Sequence, residues 1–138
     1  MKKGMLHGRS MTSGVAEGEA LVTLQQMSWC GGVDPMTGTV TELGHSLRGE
    51  NVKGKILVFD TGKGSSAFSH ATHVTRVTGS QPAGIIVKQV NPQVALGAVV
   101  MHLPAITDCN ADPCEVIKTG DWVKIDADRG VVEITAQP

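Results

Sequence analysis

Tyrosine is absent from this 138-residue sequence, which contains only two Trp and two Phe. Such a chain lacks the aromatic platforms on which single-stranded nucleic acids stack. Neither sign of charge dominates: 12 Lys and Arg stand against 13 Asp and Glu, a formal net charge of −1. That balance supplies no attraction to nucleic acid or to an anionic membrane. Long apolar runs are missing too. The longest, 94–106, is interrupted by His102 and Pro104 and falls short of the roughly 20 residues a bilayer requires. His7-Gly8-Arg9-Ser10 follows soon after Lys2 and Lys3, where a secretory signal would need an apolar stretch. Three cysteines, Cys30, Cys109 and Cys114, are an odd number, and without an export signal they are expected as reduced thiols. The expectation is a cytoplasmic protein with neither nucleic acid nor membrane as partner.

What is present is a core-forming composition, 41% hydrophobic and 18% charged, in a length that suits one domain, 1–138. With so few aromatics the core falls to Val, Ile, Leu, Ala and Met. Seventeen glycines make the backbone rich in turns. Segments 6–12 and 18–24 read as strands, the second alternating at first and then more apolar. Ser28-Trp29-Cys30-Gly31-Gly32-Val33-Asp34-Pro35-Met36-Thr37-Gly38 is too dense in Gly, Asp and Pro for a helix and reads as an ordered series of turns. Beyond it, 55–59 is a short apolar run, as in a strand covered on both faces. A helix is predicted over 65–77, with Ala67, Ala71, Val74 and Val77 near helical spacing and Gly79 as its stop. A second buried strand at 83–87, a helix from Pro92 to about Val100, and a third short strand at 104–106 complete a β-α-β-α-β succession. That order implies a parallel sheet with right-handed crossovers. The tail, 122–126 and 131–135 around Asp128-Arg129-Gly130, reads as a hairpin. The fold class is α/β: a small parallel α/β centre flanked by β-strands.

Chemistry concentrates where strand 55–59 runs into Gly62-Lys63-Gly64-Ser65-Ser66 and then a helix. A helix start offers unpaired N–H groups and the positive end of its dipole. Glycines let an anion approach that backbone closely. Lys63 adds a charged donor for a carboxylate or phosphate. Ser65 or Ser66 can cap the helix or turn a hydroxyl to a ligand. Serving as a general base requires a strongly stabilised alkoxide, which N–H donors, a cation and exclusion of water together can supply. The residues alone leave capping and catalysis equally open. The turn is not a Walker A loop, because Lys63 precedes the second glycine.

Other candidates are weaker. Cys109-x4-Cys114 fits no usual zinc spacing and Cys30 is distant, so ordinary thiols are favoured over cluster ligands. His70 and His73 share a helix face, read as solvated or packed in preference to lining the active cleft or binding metal. His45 and His102 stand alone. Asp34, before Pro35, suits an Asx-turn, with a role in a pocket or interface as the alternative. Asp108 follows a parallel strand at the end where ligands tend to bind.

Gly14-Val15-Ala16-Glu17-Gly18-Glu19-Ala20, the Ser28–Gly38 block, Gly54-Lys55-Ile56-Leu57-Val58, Gly62-Lys63-Gly64-Ser65-Ser66 and Leu96-Gly97-Ala98 occur in this order. Together they resemble the aconitase-X small subunit, the DUF126 or UPF0107 family, over almost the whole chain. Gly-Gly-Val-Asp-Pro and Gly-Lys-Gly-Ser are the most specific parts. The resemblance implies a swivelling β/β/α domain docked on a separate large subunit, together forming a hydro-lyase that dehydrates a small hydroxy acid. It makes Ser65, the first serine after Gly-Lys-Gly, the proton acceptor. Gly62, Lys63, Gly64 and Ser66 become substrate-binding neighbours. It places an iron–sulfur cluster on the cysteines of the large subunit, with no metal or cofactor held by this chain alone. Of the substrates it suggests, cis-3-hydroxy-L-proline is preferred and (R)-5-phosphomevalonate is the alternative. Two departures stand out: Cys30, where relatives commonly carry a bulky apolar residue, and Ala67-Phe68-Ser69-His70, where many are richer in small residues. A rival reading is a non-catalytic swivelling carrier, which needs a histidine such as His70 or His73 on an exposed loop.

Overall fold

The computed structural model describes residues 2–29, 31–63 and 68–136, except for the side chains of Lys2, Lys3, Phe68 and Ser69. Among the described residues eight strands form one sheet in the order β1-β8-β7-β3-β4-β5-β6-β2. In chain order these are β1 (Lys2–His7), β2 (Arg9–Thr12), β3 (Val15–Val22), β4 (Ile56–Phe59), β5 (Gly84–Val87), β6 (Ala105–Thr107), β7 (Trp122–Asp126) and β8 (Val131–Thr135). Among the described residues three helices accompany them: α1 (Phe68–Thr78), α2 (Pro92–Met101) and α3 (Pro113–Val116).

The sheet has two characters, and β3 joins them. Its first five residues, Val15 to Glu19, pair antiparallel with β7, and Ala20 to Val22 pair parallel with β4. The switch follows the sequence: exposed Val15, Glu17 and Glu19 alternate with better-covered neighbours, and then Ala20 and Leu21 are both buried. β4, β5 and β6 are parallel and buried at every position. Their side chains divide between two cores, as successive strand residues must. Leu57, Phe59, Ile85, Val87 and Ala105 pack on the helix side with Val94, Ala98 and Met101 of α2. Ile56, Val58, Ile86 and Ile106 pack on the other side with Val123, Ile125, Val132 and Ile134 of the hairpin. The continuous apolar runs are therefore needed, since both faces are covered.

The α/β class, the parallel centre and the hairpin bounds match the sequence reading. Four features differ. Segment 6–12 is not one strand: the chain bends at Gly8, whose N–H bonds to the Gly130 carbonyl, so β1 pairs with β8 and β2 with β6. One stretch of chain thus supplies both ends of the strand order. Helix α3 went unread; it is a single turn capped by Asp112, whose Oδ1 accepts the Cys114 N–H. β3 begins earlier than expected, at Val15. In α1 the fully buried residues are Thr72 and Thr75, while Val77 is 72% exposed. The Thr75 hydroxyl donates to the Ala71 carbonyl at 2.9 Å, so a short polar side chain is buried with its hydrogen bond made. Ala67, part of the expected stripe, lies outside the described residues. Gly79 ends α1 in the left-handed region (φ 74°), as anticipated.

Candidate functional site

Parallel neighbours end on one edge, so the chain leaving β3, β4 and β5 emerges together. In open α/β sheets this carboxyl edge is where ligands bind. Three segments meet there: 23–29 after β3, 60–63 after β4 and 88–91 after β5. The first two continue the parallel pairing in reduced form. Thr23 N–H donates to Val58 O, Met27 N–H to Thr61 O at 3.0 Å, and Lys63 N–H to Met27 O at 2.9 Å. Beneath them Trp29 is tilted against Phe59, ring centroids 6.4 Å apart.

The third segment reaches the turn through Asn91. Its Nδ2 donates to the Gly62 carbonyl at 2.6 Å, and its Oδ1 accepts the Val94 N–H at 2.9 Å. Asn91 is thus the N-cap of α2, ahead of Pro92, and a brace on the turn. Gly62 is buried tightly against this helix start: a Cβ there would lie 3.1 Å from Val94 Cβ. Lys63, half-buried, pairs its Nζ with Glu42 Oε2 at 2.7 Å. The other oxygen of Glu42 lies beside Gly32, within 3.2 Å of where a Cβ would stand. The Gly-Gly-Val-Asp-Pro and Gly-Lys-Gly-Ser blocks, thirty residues apart in sequence, therefore meet at Glu42.

Of the predicted site residues, Gly62 and Lys63 are placed at this edge. Gly64, Ser65 and Ser66 lie outside the described residues, as does Cys30. Asp34 takes the turn role: its Oδ1 accepts the Met36 N–H at 2.9 Å and its carbonyl accepts the Gly38 N–H at 2.7 Å. The next residue ties the loop down, since the Pro35 carbonyl accepts from the hydroxyls of Thr78 and Ser80. His70 and His73 are exposed on α1, so neither sits on the exposed loop that the carrier reading requires.

Sequence reasoning missed three residues at this edge. Asn91-Pro92 was legible as a helix cap, but its reach to Gly62 was not. Glu42 carried no signal. His45 is buried: its Nδ1 accepts the Leu47 N–H at 3.1 Å, which leaves Nε2 to donate to the Gln26 carbonyl at 3.0 Å. One neutral tautomer is thereby fixed, and it ties 25–26 to 45–47.

Farther along the edge a hollow of about 370 Å³ is lined by Lys88, Asp108, Cys109 and Asp112, among others. Its carboxylates are already paired, Asp108 with Arg9 and Asp112 with Lys88. The Asp112 carboxylate raises the Lys88 ammonium above its ordinary pKa, and Asp60 adds to this. Burial, reinforced by Asp108, pushes the Cys109 thiol up to about 11; burial, with Asp112 and Asp60, does the same to Cys114. Neither thiol is a ready thiolate ligand. Among the described residues no group of three or more His, Cys, Asp or Glu is arranged to hold a metal ion. No helix among them is long and apolar enough to cross a membrane.

Comparison with known proteins agrees with this architecture. A family model described as the aconitase X swivel domain matches residues 5–134. The phosphomevalonate dehydratase small subunit of Methanosarcina mazei is 40% identical over 94% of this chain and 90% of its own length. The protein of the same name from Methanocella arvoryzae is 41% identical over 94% of this chain and 98% of its own. The fold superposes on a chain of holo-form Thermococcus kodakaraensis aconitase X with a TM-score of 0.89 at 40% identity, covering 95% of this chain and 98% of that one. A UPF0107 protein solved by solution NMR gives 0.85, also at 40% identity, with the same coverage. The chain belongs to the aconitase X swivel-domain family, and with it to the small subunits of aconitase-X type dehydratases, a class of hydro-lyase.

Proposed function

We propose that this chain is the small subunit of a phosphomevalonate dehydratase and that Ser65 is its general base. The observation that carries the substrate is the shared name of its relatives, phosphomevalonate dehydratase small subunit, at 40–41% identity over 94% of the chain. The sequence reading preferred cis-3-hydroxy-L-proline; these names favour the acid that stood as its alternative. The surroundings of Gly62 agree with a phosphorylated anion as ligand. Lys63 is held by a part-exposed ion pair, and such pairs contribute only about 0–1 kcal/mol, so a phosphate group can compete with Glu42 for it.

In this reading Ser65 takes a proton from the carbon α to the carboxylate, a double bond forms, and the hydroxyl on the next carbon leaves, so that one molecule of water is lost in all. The whole chain, 1–138, acts as one domain that forms half the site. A large subunit supplies the other half and carries an iron–sulfur cluster. Among the described residues no group of three or more His, Cys, Asp or Glu is arranged to hold such a cluster.

The test is an assay of the co-purified two-subunit enzyme on both acids. Dehydration of (R)-5-phosphomevalonate and not of cis-3-hydroxy-L-proline is expected, and the reverse overturns the substrate. Ser65→Ala is expected to lower kcat by about 10²–10⁴-fold, the range for a general base. Full activity in that variant removes Ser65 from the role.

A further inference from the structure

Asn91 makes two hydrogen bonds that serve different ends. Through Oδ1 it caps α2, which many residues could do; Asp and Ser cap about as well. Through Nδ2 it holds the Gly62 carbonyl at 2.6 Å, which neither of those can do. The carboxylate of Asp has no donor and would set a negative oxygen against the carbonyl, and Ser is too short to bridge both groups. Asn is the side chain that satisfies both, with a carbonyl and an amide on one short stem.

The bond to Gly62 is one of three constraints on two consecutive residues. The Met27 carbonyl accepts the Lys63 N–H, Glu42 holds the Lys63 ammonium, and Asn91 holds the Gly62 carbonyl. These constraints come from three separate segments, after β3, from the 41–44 turn and after β5. Gly62 itself is packed without slack against Val94. The backbone that leads to Ser65 is therefore fixed at a point three residues before it in sequence, and the Asn91 amide, together with the packing on Val94, ties that point to the start of α2.

We infer that Asn91 is a positioning residue, whose side-chain amide fixes the backbone at Gly62 from which the Ser65 segment departs. This rests on the reading of Ser65 as base. Misplacing a reacting group by about 1 Å costs on the order of 10²-fold in rate, so the loss of one anchor three residues before the base in sequence is felt in kcat. Substrate binding, spread over more groups and a partner subunit, is felt less.

The test uses Asn91→Ser and Asn91→Asp in the assembled two-subunit enzyme, with Ser65→Ala in parallel. Both Asn91 variants keep the cap, so amide hydrogen exchange across 92–101 stays as in the parent, while exchange across 60–63 rises. In both, kcat on (R)-5-phosphomevalonate is expected to fall by about 10- to 100-fold with KM changed less than about twofold, the pattern of an interaction that matters in the transition state. Parental kcat in both variants, or a rise in KM alone, overturns the positioning role. Ser65→Ala separates the two failures. Full activity there removes the serine reading; loss of activity there with parental kcat in the Asn91 variants removes the positioning role alone.

Discussion

The β7–β8 hairpin and the long segment from 23 to 54 are both well packed, yet they are specified in opposite ways. In the hairpin five consecutive residue pairs, Trp122 with Thr135 through Asp126 with Val131, form a ladder. Val123, Ile125, Val132 and Ile134 are buried in strict alternation. A slip of one residue would turn that whole set to water, so the repeat itself enforces the register. Segment 23–54 has no such repeat. Among the described residues it contributes only isolated bridges, Met27 with Gly62, Val33 with Val40 and Thr39 with Asn51. It nevertheless buries Trp29, Val33, Val40, Leu47 and Val52 almost completely. Its backbone is held by individual bonds: Asp34 to Met36 and Gly38, His45 to Gln26 and Leu47, Thr78 and Ser80 to Pro35. A ladder spreads its information over many residues, whereas a loop of this kind stores it in single ones. The candidate site is built on the second kind.

That contrast can be broken most directly at Gly32. A Cβ at this position would overlap the Ser28 carbonyl oxygen and crowd the Glu42 carboxylate. Gly32→Ala is therefore expected to cost about 1–3 kcal/mol, the usual penalty for overpacking, and to lower the thermal midpoint by several degrees. On the hairpin, Lys124 is exposed and faces Glu17 and Glu133 across the ladder. Lys124→Ala is expected to cost about 1 kcal/mol at most, the range of a cross-strand pair. Paired thermal melts of the two variants decide the matter. Equal losses would mean that the loop is no more residue-specific than the ladder.

A smaller effect sharpens the comparison at the far end of the carboxyl edge, beyond β6. Cys109 and Cys114, each pushed up to about 11, are expected to react with iodoacetamide at pH 8 far more slowly than a free cysteine, because the thiolate is the reacting form. The linkage has a definite sign. A group whose native pKa lies above its unfolded value stabilises the fold below the unfolded value, and that stabilisation is lost as pH rises from about 9 through 11. Thermal midpoints measured over that window should fall, and fall less in a Cys109→Ala, Cys114→Ala double variant. Rapid labelling at pH 8 would show that this end of the edge is open.

The legible parts of the fold were those with a period. β4, β5 and β7–β8 followed from apolar runs and alternation, and the Pro92 helix from its proline. What stayed hidden depended on partners distant in sequence. The break at Gly8 is invisible locally, because β1 and β2 look like one strand until β8 and β6 claim them separately. Thr72 and Thr75 look polar, and only the i−4 carbonyl bond at Thr75 explains its burial. At the site, the glycine-rich turn and Lys63 were visible as an anion-friendly helix start. Glu42, which binds that turn, has no local signature, and Asn91 has only that of a helix cap, since their roles at the turn come from loops that meet only after folding.

Reconstitution tests the central claim most directly: that the turn after β4 is half of a catalytic site. The small subunit, the large subunit and their mixture are each assayed for water loss from (R)-5-phosphomevalonate. The account predicts no turnover by either subunit alone and turnover on mixing that rises with added small subunit until the large subunit is saturated. Turnover by the purified small subunit alone, or by the large subunit at the same rate with and without it, would contradict the claim.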